Sequence, residues 1–345
     1  MVIVFETTNL QVKNMTDTSN LYPLTFKPYL KNAIWGGRNL EKFGRSVPPE
    51  GLAESWEIAA HENGSSIVKN GIHAGKSLIE LTNELGVALV GTNGQWALDR
   101  GKFPLLVKLI DANRNLSVQV HPKDDYAQQN EGNELGKTEM WVILDAKPDS
   151  TLIYGVKNGT TPENFRKGIE DGNLEPHLHS VPAAVGAHLC VPAGSLHAIM
   201  EGIVIAEIQQ NSDTTYRVYD WNRLGADGKP RQLHVDKALD VINFNQVEPR
   251  LPEEILVAEA DGVRTTLLCQ NEYFRTERIK MEADTVYQGN CDGTTLEIWG
   301  ILDGCTEISD FEMQGIQFIL LPAQMGEFAI HAKERSILLR SILPK

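Results

Sequence analysis

Short apolar or alternating runs, separated by Gly, Pro and Asn, fill most of the chain and predict a mainly β protein. Examples are "TLIYGV" at 151–156 and "GIVIAEIQQ" at 202–210. Helical spacing of apolar residues appears in "SLIELTNELGVALVG" at 77–91. A second stretch, "TPENFRKGIEDG" at 161–172, opens with Thr and then Pro, which is typical of a helix start. We therefore predict one helix in each stretch and strands through most of the remainder.

An internal repeat indicates two copies of one β unit. Residues 139–145 read "EMWVILD" and residues 297–303 read "EIWGILD", with five of seven positions identical. Further along, "VPAGSLHAI" at 191–199 resembles "LPAQMGEFAI" at 321–330, in the same order. The Pro-rich stretch 247–255 lies between the copies, so we expect the boundary there. The second predicted helix lies between the two segments of the first copy and reads as a helical insertion.

Polar residues interrupt the strand pattern of the first copy. In "LSVQVHPKDDYA", residues 116–127, Gln119 and His121 alternate with Val and so share one face of a strand. Glu139 begins a second strand, and His197 follows the turn "PAGS". Two His and one carboxylate are common ligands for a divalent ion, and a single carboxylate leaves that ion a net charge of about +1. These four residues are therefore a candidate metal site of the open, functional kind.

The second copy and a neighbouring His pair are the alternatives to this site. Glu139 is matched by Glu297 in the second copy, but His197 has no matching His there. His177 and His179 alternate in "EPHLHS", without a neighbouring apolar strand. We interpret His177 and His179 as part of a solvent-exposed strand edge. We interpret the second copy as lacking the metal-binding groups.

Cationic residues accompany the candidate ligands. Lys123 follows the His-Pro turn, and Lys137 precedes Glu139 by two residues. Arg217 lies in "NSDTTYRVYDWNR", which is dense in hydroxyls, aromatics and charge. Arg suits bidentate capture of a carboxylate or phosphate, while Lys acts as a point charge. The acidic pair at 124–125 predicts only a solvated turn.

Charge and cysteine content narrow the class of protein. The 345-residue chain has a net charge of −14, which argues against general nucleic-acid binding. Its four cysteines form no CxxC pair, so we expect reduced thiols in a cytoplasmic protein. No apolar run is long enough to predict a membrane span. Glu6 interrupts the first apolar run and no basic segment precedes it, so a signal peptide is not expected.

Several motifs together resemble the type I mannose-6-phosphate isomerases, in their short bacterial form, within the cupin superfamily. The motifs are "SVQVHPKDDYA", "GKTEMWVIL", "VPAGSLHAI" and "AEIQQNSDTTYRVYDWNR", preceded by "KNAIWGGRNL", "AESWEIAAH" and "FPLLVKLIDA". The resemblance is dense from about residue 22 to residue 240 and looser in the second copy.

The resemblance implies a fold and a set of roles. The fold would be two cupin or jelly-roll-like barrels in tandem. Residues 1–21 would be an N-terminal extension, 22–247 a catalytic domain with the helical insertion, and 248–345 a degenerate second domain. One Zn²⁺ would be held by Gln119, His121, Glu139 and His197. Arg217 would be the active-site arginine, with Lys123 and Lys137 as substrate-binding residues.

The implied reaction interconverts mannose 6-phosphate and fructose 6-phosphate through a cis-enediol. The general base stays open between Glu207, Lys137 and a zinc-bound water, and the phosphate partner stays open between Lys123, Arg217 and another cation.

Two other classes of protein remain possible from the sequence. A cupin oxygenase would hold iron with His121, Glu139 and His197, although a fourth ligand would occupy a position that oxygen needs. A non-catalytic sugar-binding cupin is the third class. The sequence leaves the oligomeric state open, and a small sugar phosphate is the expected partner.

Overall fold

The computed structural model describes residues 21–225 and 228–345, and it is mainly β. The predicted N-terminal extension lies outside the described residues except for Leu21. The strands of the first half are β1 (Leu24–Lys27), β2 (Tyr29–Lys31), β3 (Glu54–Ile58), β4 (Ala60–His61), β5 (Gly64–Ser65), β6 (Ile67–Val68), β7 (Leu105–Ala112), β8 (Val118–Val120), β9 (Glu139–Ala146), β10 (Thr151–Val156), β11 (Leu178–Pro182), β12 (His188–Val191), β13 (His197–Ile199), β14 (Ile203–Gln210) and β15 (Tyr216–Tyr219). Those of the second half are β16 (Ile255–Ala260), β17 (Val263–Gln270), β18 (Arg275–Met281), β19 (Val286–Cys291), β20 (Glu297–Asp303), β21 (Cys305–Ile308), β22 (Phe311–Gln314), β23 (Gln317–Leu321), β24 (Gly326–Ala332) and β25 (Ser336–Ile342).

Helices connect the strands of the first half. They are α1 (Leu78–Leu85), α2 (Val87–Val90), α3 (Gln95–Leu98), α4 (Asp124–Asn130), α5 (Pro162–Glu170) and α6 (Val235–Val241). None of the helices in the described ranges combines the length and apolar character that a membrane span requires.

Two sheets of the first half pack face to face around the site described below. One has the strand order β12-β9-β14-β7-β3-β2, and the other has the order β11-β10-β13-β8-β15. Trp141 and Ile205 from the first sheet share a buried cluster with Leu152 and Ile199 from the second. Such burial contributes about 25 cal/mol per Å² of apolar surface, so this cluster holds the two sheets together.

The second half repeats part of this arrangement. Its larger sheet has the order β16-β17-β18-β25-β20-β23-β1-β6, and a smaller sheet has the order β19-β24-β21-β22. The order β12-β9-β14-β7 thus recurs as β23-β20-β25-β18, which places the repeated "E-x-W" segments in corresponding central strands. Within the described ranges, the strand pairing of each sheet is open rather than closed into a ring.

The N-terminal strand β1 joins the two halves. Leu24 pairs with Leu320 on β23, while Phe26 pairs with Val68 on β6. β1, the first of the described strands, therefore belongs to the sheet of the second half, and the apolar cluster beneath it contains residues from both halves.

The two helix predictions have different outcomes. The prediction for 161–172 is confirmed by α5, where the Thr161 side chain caps the helix by accepting from Asn164 N. The prediction of one helix over 77–91 is wrong, because Gly86 ends α1 and separates it from α2. Gly86 has φ of 50°, a left-handed value that glycine adopts without the steric cost of a Cβ.

The expectation of four reduced cysteines is also wrong. Cys190 on β12 and Cys269 on β17 form a disulfide, with their Cα atoms 5.9 Å apart, while Cys291 and Cys305 are free. The two partners are 79 residues apart in sequence, so no local spacing revealed them. The bond links the strand before the "PAGS" turn to the second half of the chain.

Candidate metal centre

Three strands bring the predicted ligands together. Gln119 lies on β8, and its register partner on β13 is His197. His121 directly follows β8, and Glu139 begins β9 in the facing sheet. The ends of both sheets therefore meet at one place. Gln119 and His121 both face this place, as the alternation of polar and apolar residues in the sequence predicted.

His121, Glu139 and His197 form a compact buried cluster. The Nε2 atoms of His121 and His197 each lie 3.1 Å from Oε1 of Glu139. Possible ligand atoms of the three residues all lie within 4.8 Å of one another, and each residue is at most 1% exposed. Of the described residues, these are the ones whose His, Cys, Asp and Glu ligand atoms come this close together.

The hydrogen bonds of the two imidazoles decide what the cluster can bind. His121 Nδ1 lies 2.8 Å from Thr214 O, and His197 Nδ1 lies 2.9 Å from Ser195 O. A carbonyl oxygen can only accept, so each Nδ1 donates, and in the neutral tautomer that this bond selects the Nε2 atom carries a lone pair. The Glu139 oxygens are buried and receive no hydrogen bond, despite the short distances to Nε2. Two lone pairs and a carboxylate facing one another fit a cation, and this donor set matches a divalent metal.

Ionisation in the cluster supports this fit. Burial and the adjacent Lys137 lower the pKa of His121 to about 3, so its imidazole is neutral, as a metal ligand must be. Burial alone would raise the pKa of Glu139, but Lys137 and His121 outweigh it and hold that pKa well below its usual value. The carboxylate is thus ionised at neutral pH.

Gln119 and Lys137 contact the cluster of His121, Glu139 and His197 directly. Gln119 Nε2 lies 3.3 Å from His197 Nε2, and rotating the amide by a half turn would place its oxygen there instead. Lys137 Nζ lies 3.1 Å from His121 Nε2 and 3.3 Å from Glu139 Oε2. Lys137 precedes β9 rather than lying on it, yet its buried side chain reaches the same place as the predicted ligands.

A cavity of about 320 Å³ opens beside this cluster and collects most of the predicted cations. Its lining includes Gln119, Lys137 and Arg217. Arg217 lies on β15 and is the register partner of Gln119 on β8, so both residues stand on neighbouring strands beside the cavity. Lys123 is exposed before α4 and does not line the cavity, so a substrate contact from it stays a prediction.

The other sequence predictions near the site have clear outcomes. His177 contacts Thr160 at 3.4 Å and His179 contacts Pro249 O at 3.1 Å, which places this pair away from the cluster. The solvated turn predicted at 124–125 is instead the first turn of α4, where Asp124 accepts from Gly136 N.

Sequence reasoning named Glu207 as a candidate base but missed the buried charges beside it on the cavity wall, Lys108 and Glu54. Lys108 on β7 lies 3.4 Å from Glu54 and 3.7 Å from Glu207. Burial alone would lower the pKa of Lys108, but these carboxylates raise it, so the ammonium is charged. Burial and then Glu139 raise the pKa of Glu207 to about 8. The available signal was a lone Lys inside the apolar strand "FPLLVKLI", which a buried partner had to neutralise.

Asp213 is a further, partly buried charge that the motifs in the sequence did not single out. Its carboxylate lies 3.0 Å from Lys31 Nζ, and both residues line the cavity. Burial opposes its ionisation, but Lys108 and Lys31 outweigh burial and lower the pKa of Asp213 to about 2.

Comparisons with known proteins agree with this geometry. Residues 24–144 match the family model "Phosphomannose isomerase type I, catalytic domain". A probable mannose-6-phosphate isomerase of Bacillus subtilis, GmuF, is 38% identical over 315 residues, which cover 90% of this chain and 96% of that protein. The mannose-6-phosphate isomerase ManA of the same organism is 44% identical over 254 residues, covering 73% of this chain and 77% of ManA.

A solved structure supports the same assignment. The crystal structure of the mannose 6-phosphate isomerase from Bacillus subtilis superimposes with a TM-score of 0.82 at 35% sequence identity. The match covers 92% of this chain and 99% of that chain. The chain therefore belongs to the type I phosphomannose isomerase family.

Proposed function

We propose that this chain is a zinc-dependent aldose–ketose isomerase that interconverts mannose 6-phosphate and fructose 6-phosphate through a cis-enediol. The observation that carries the proposal is the buried cluster of His121, Glu139 and His197, in which two imidazole nitrogens and a carboxylate that receives no hydrogen bond converge. One Zn²⁺ per chain would be held by Gln119, His121, Glu139 and His197. Family membership supplies the substrate class.

The reaction moves a proton between carbons 1 and 2 of the sugar. Bound zinc would supply a Lewis acid that stabilises the negative charge developing on the enediolate oxygens. Within the chain, the Lys137 ammonium lies beside Glu139 and adds positive charge at the same end of the cavity. Arg217 lies one strand away, where it can hold the substrate.

Two groups of the cavity can carry the proton, in keeping with the candidates from the sequence. Glu207 has a buried Oε1 without a hydrogen-bond partner, and burial raises its pKa, which strengthens this carboxylate as a proton acceptor. Lys137 is the other candidate. A pH–rate profile of Glu207→Gln against Lys137→Met would show which variant loses the fall in rate at low pH that reports protonation of the base.

The proposal is tested by metal removal and readdition. The purified chain is treated with a chelator, then given Zn²⁺, and conversion of mannose 6-phosphate to fructose 6-phosphate is followed at each stage. We expect activity to disappear and to return with Zn²⁺. Arg217→Ala should keep its zinc and lose most of its turnover. Full activity in the metal-free chain would contradict the zinc role, and full activity in the variant would make Arg217 structural.

Metal analysis separates this proposal from the two other classes. Iron with oxygen-dependent turnover would favour the cupin oxygenase, and sugar phosphate binding without turnover would favour the non-catalytic cupin. The nearness of Gln119 to His197 supports the isomerase, because a fourth protein ligand leaves fewer positions for oxygen.

We also propose that the sheets form two cupin-like barrels in tandem. The first, residues 22–247, would carry the site and the α5 insertion, and the second, residues 248–345, would be degenerate. The recurring strand order supports this division, although β1 contributes to the second unit. The enzyme would act in the cytoplasm on its sugar phosphate substrate.

A further inference from the structure

A disulfide joins the two halves of the chain at a place where, within the described residues, their strands do not pair. Cys190 lies on β12, the end strand of the sheet that carries Glu139, and Cys269 lies on β17 of the second half. Among the described strands, β12 pairs with β9 alone, and the partners of β17 are β16 and β18. The bond therefore fixes the outer edge of β12 to the other half of the chain.

Residues 190–197, the ligand-holding segment, run from this disulfide to the candidate metal centre. The segment contacts all three residues of the cluster: Val191 is the register partner of Glu139, Gly194 N donates to His121 O at 2.8 Å, and Ser195 O accepts from His197 Nδ1 at 2.9 Å. A constraint on the first residue of the segment is thus carried to every candidate His and Glu ligand through short stretches of backbone.

The two sulfurs differ in exposure, and this difference gives thiol–disulfide exchange a direction. Cys269 is 4% exposed and belongs to the apolar cluster that contains residues of both halves, whereas Cys190 is only partly buried. A small thiolate therefore reaches the Cys190 sulfur first, and Cys269 leaves as the thiolate. The reduced form is accommodated as well, because Cys190 Sγ lies 3.5 Å from Leu268 O, which can accept from its S–H.

We propose that Cys190 and Cys269 are a reversible redox pair, and that their oxidation restrains the ligand-holding segment. The inference rests on the proposed function for its zinc readout and for its cytoplasmic setting, in which thiols are kept reduced. The oxidant is a small-molecule disulfide. In the first exchange half of it bonds to Cys190 and one small thiol is released. Cys269 then attacks that Cys190 sulfur and releases the second small thiol, so two protein S–H groups become one S–S bond.

The first experiment uses the metal-free chain, so that it needs neither zinc nor turnover. The wild type is equilibrated with a dithiol reductant or with glutathione disulfide, and alkylation of the denatured chain counts its free thiols. We expect four thiols after reduction and two after oxidation, with residues 190 and 269 cross-linked in the peptide map. The Tm of the oxidised form should be at least about 4 °C higher, because the bond joins residues 79 positions apart.

Hydrogen exchange then measures the restraint itself. In the metal-free chain, the backbone N–H of Gly194 should exchange at least about threefold more slowly in the oxidised form. In the zinc-loaded chain, loss of Zn²⁺ to a chelator should slow by about 3–10-fold, less than the roughly 10–100-fold typical of direct outer-shell partners.

Cysteine variants separate this pair from the other thiols. Cys269→Ala should remove the differences between oxidised and reduced chain in Tm, exchange and zinc loss. Cys190→Ala, at the more exposed partner, should do the same and keeps the test valid where the buried substitution fails to fold. The matched control Cys305→Ala removes a free, partly buried cysteine and should keep all three differences.

The results that would overturn the inference do not depend on isomerase activity. A thiol count that is the same under both conditions would overturn the reversible pair. Equal exchange of the Gly194 N–H in the two forms would overturn the restraint, whether or not the chain binds zinc. Equal zinc loss beside slower exchange would overturn its effect on the metal centre. A chain that shows the thiol and exchange differences but does not isomerise mannose 6-phosphate would refute only the proposed function.

Discussion

Replacing Arg340 with Met should strongly destabilise the second half of the chain. Arg340 lies opposite Trp299, as Glu207 lies opposite Trp141 in the first half. On its other side Arg340 faces Glu277, whereas Glu207 faces Lys108. The cross-strand pair of a cation and a carboxylate therefore has its charges exchanged between the two halves. Arg340 occupies the position that corresponds to Glu207 in the first half.

The magnitude follows from what Arg340 neutralises. Its Nε donates to Glu297 Oε2 at 2.9 Å, its Nη2 contacts Glu297 Oε1, and its Nη1 lies 3.3 Å from Glu277 Oε2. Arg275 and Trp299 still serve Glu277 and Glu297 in the variant, so each glutamate retains one donor. Leaving a buried charge unpaired costs about 3–5 kcal/mol, and the 20% exposure of the Arg340 side chain favours the lower end, about 3 kcal/mol.

Urea unfolding of the zinc-loaded chain at pH 7 measures this cost. Arg340→Met keeps the apolar stem of the side chain, so the loss isolates the charge. Adding Glu297→Gln to Arg340→Met should recover about half of the loss, since the main unpaired charge is then removed. The exposed Arg264→Gln should stay within about 0.5 kcal/mol of the wild type. A loss below about 1 kcal/mol for Arg340→Met, or no recovery in the double variant, would refute the reasoning.

Three further predictions follow from individual side chains. Glu139→Gln should weaken zinc binding by more than the roughly 10–100-fold typical of outer-shell changes, while Glu297→Gln at the corresponding position should keep its zinc; chelator competition measures both. Asp213 has a pKa lowered to about 2 from 3.8, so its contribution to stability is complete above about pH 4 and is lost as the pH falls towards 2. With metal removed, the wild type should lose about 2 kcal/mol more unfolding free energy than Asp213→Asn between pH 5 and pH 2, and equal losses would contradict this. Ser77→Ala should lower the unfolding free energy by about 1 kcal/mol, because it removes the side chain that caps α1; thermal unfolding checks this, and an unchanged midpoint would show that the cap contributes nothing.

Local patterns accounted for the parts of the site that depend on neighbouring residues. Alternation in "VQVH" placed Gln119 and His121 on one face, and the repeated "E-x-W" segment identified corresponding strands in the two halves. The same kind of evidence predicted α5 from its Thr-Pro start. Local reasoning was wrong at Gly86. The apolar spacing fits one long helix or two short ones, and the positive φ of Gly86 decides for two.

The sequence by itself determined the mainly β character, the internal repeat and the candidate metal ligands, because each depends on period-two alternation or on short motifs. The tertiary structure decided that β13 pairs with β8 and brings His197 to Gln119, and that two carbonyls orient the imidazoles. It also decided that Asp220 holds Arg231, and that Cys190 meets Cys269 across the two halves. These contacts join residues far apart in the chain. Their geometry depends on strand register and loop paths, which no local pattern of residues encodes.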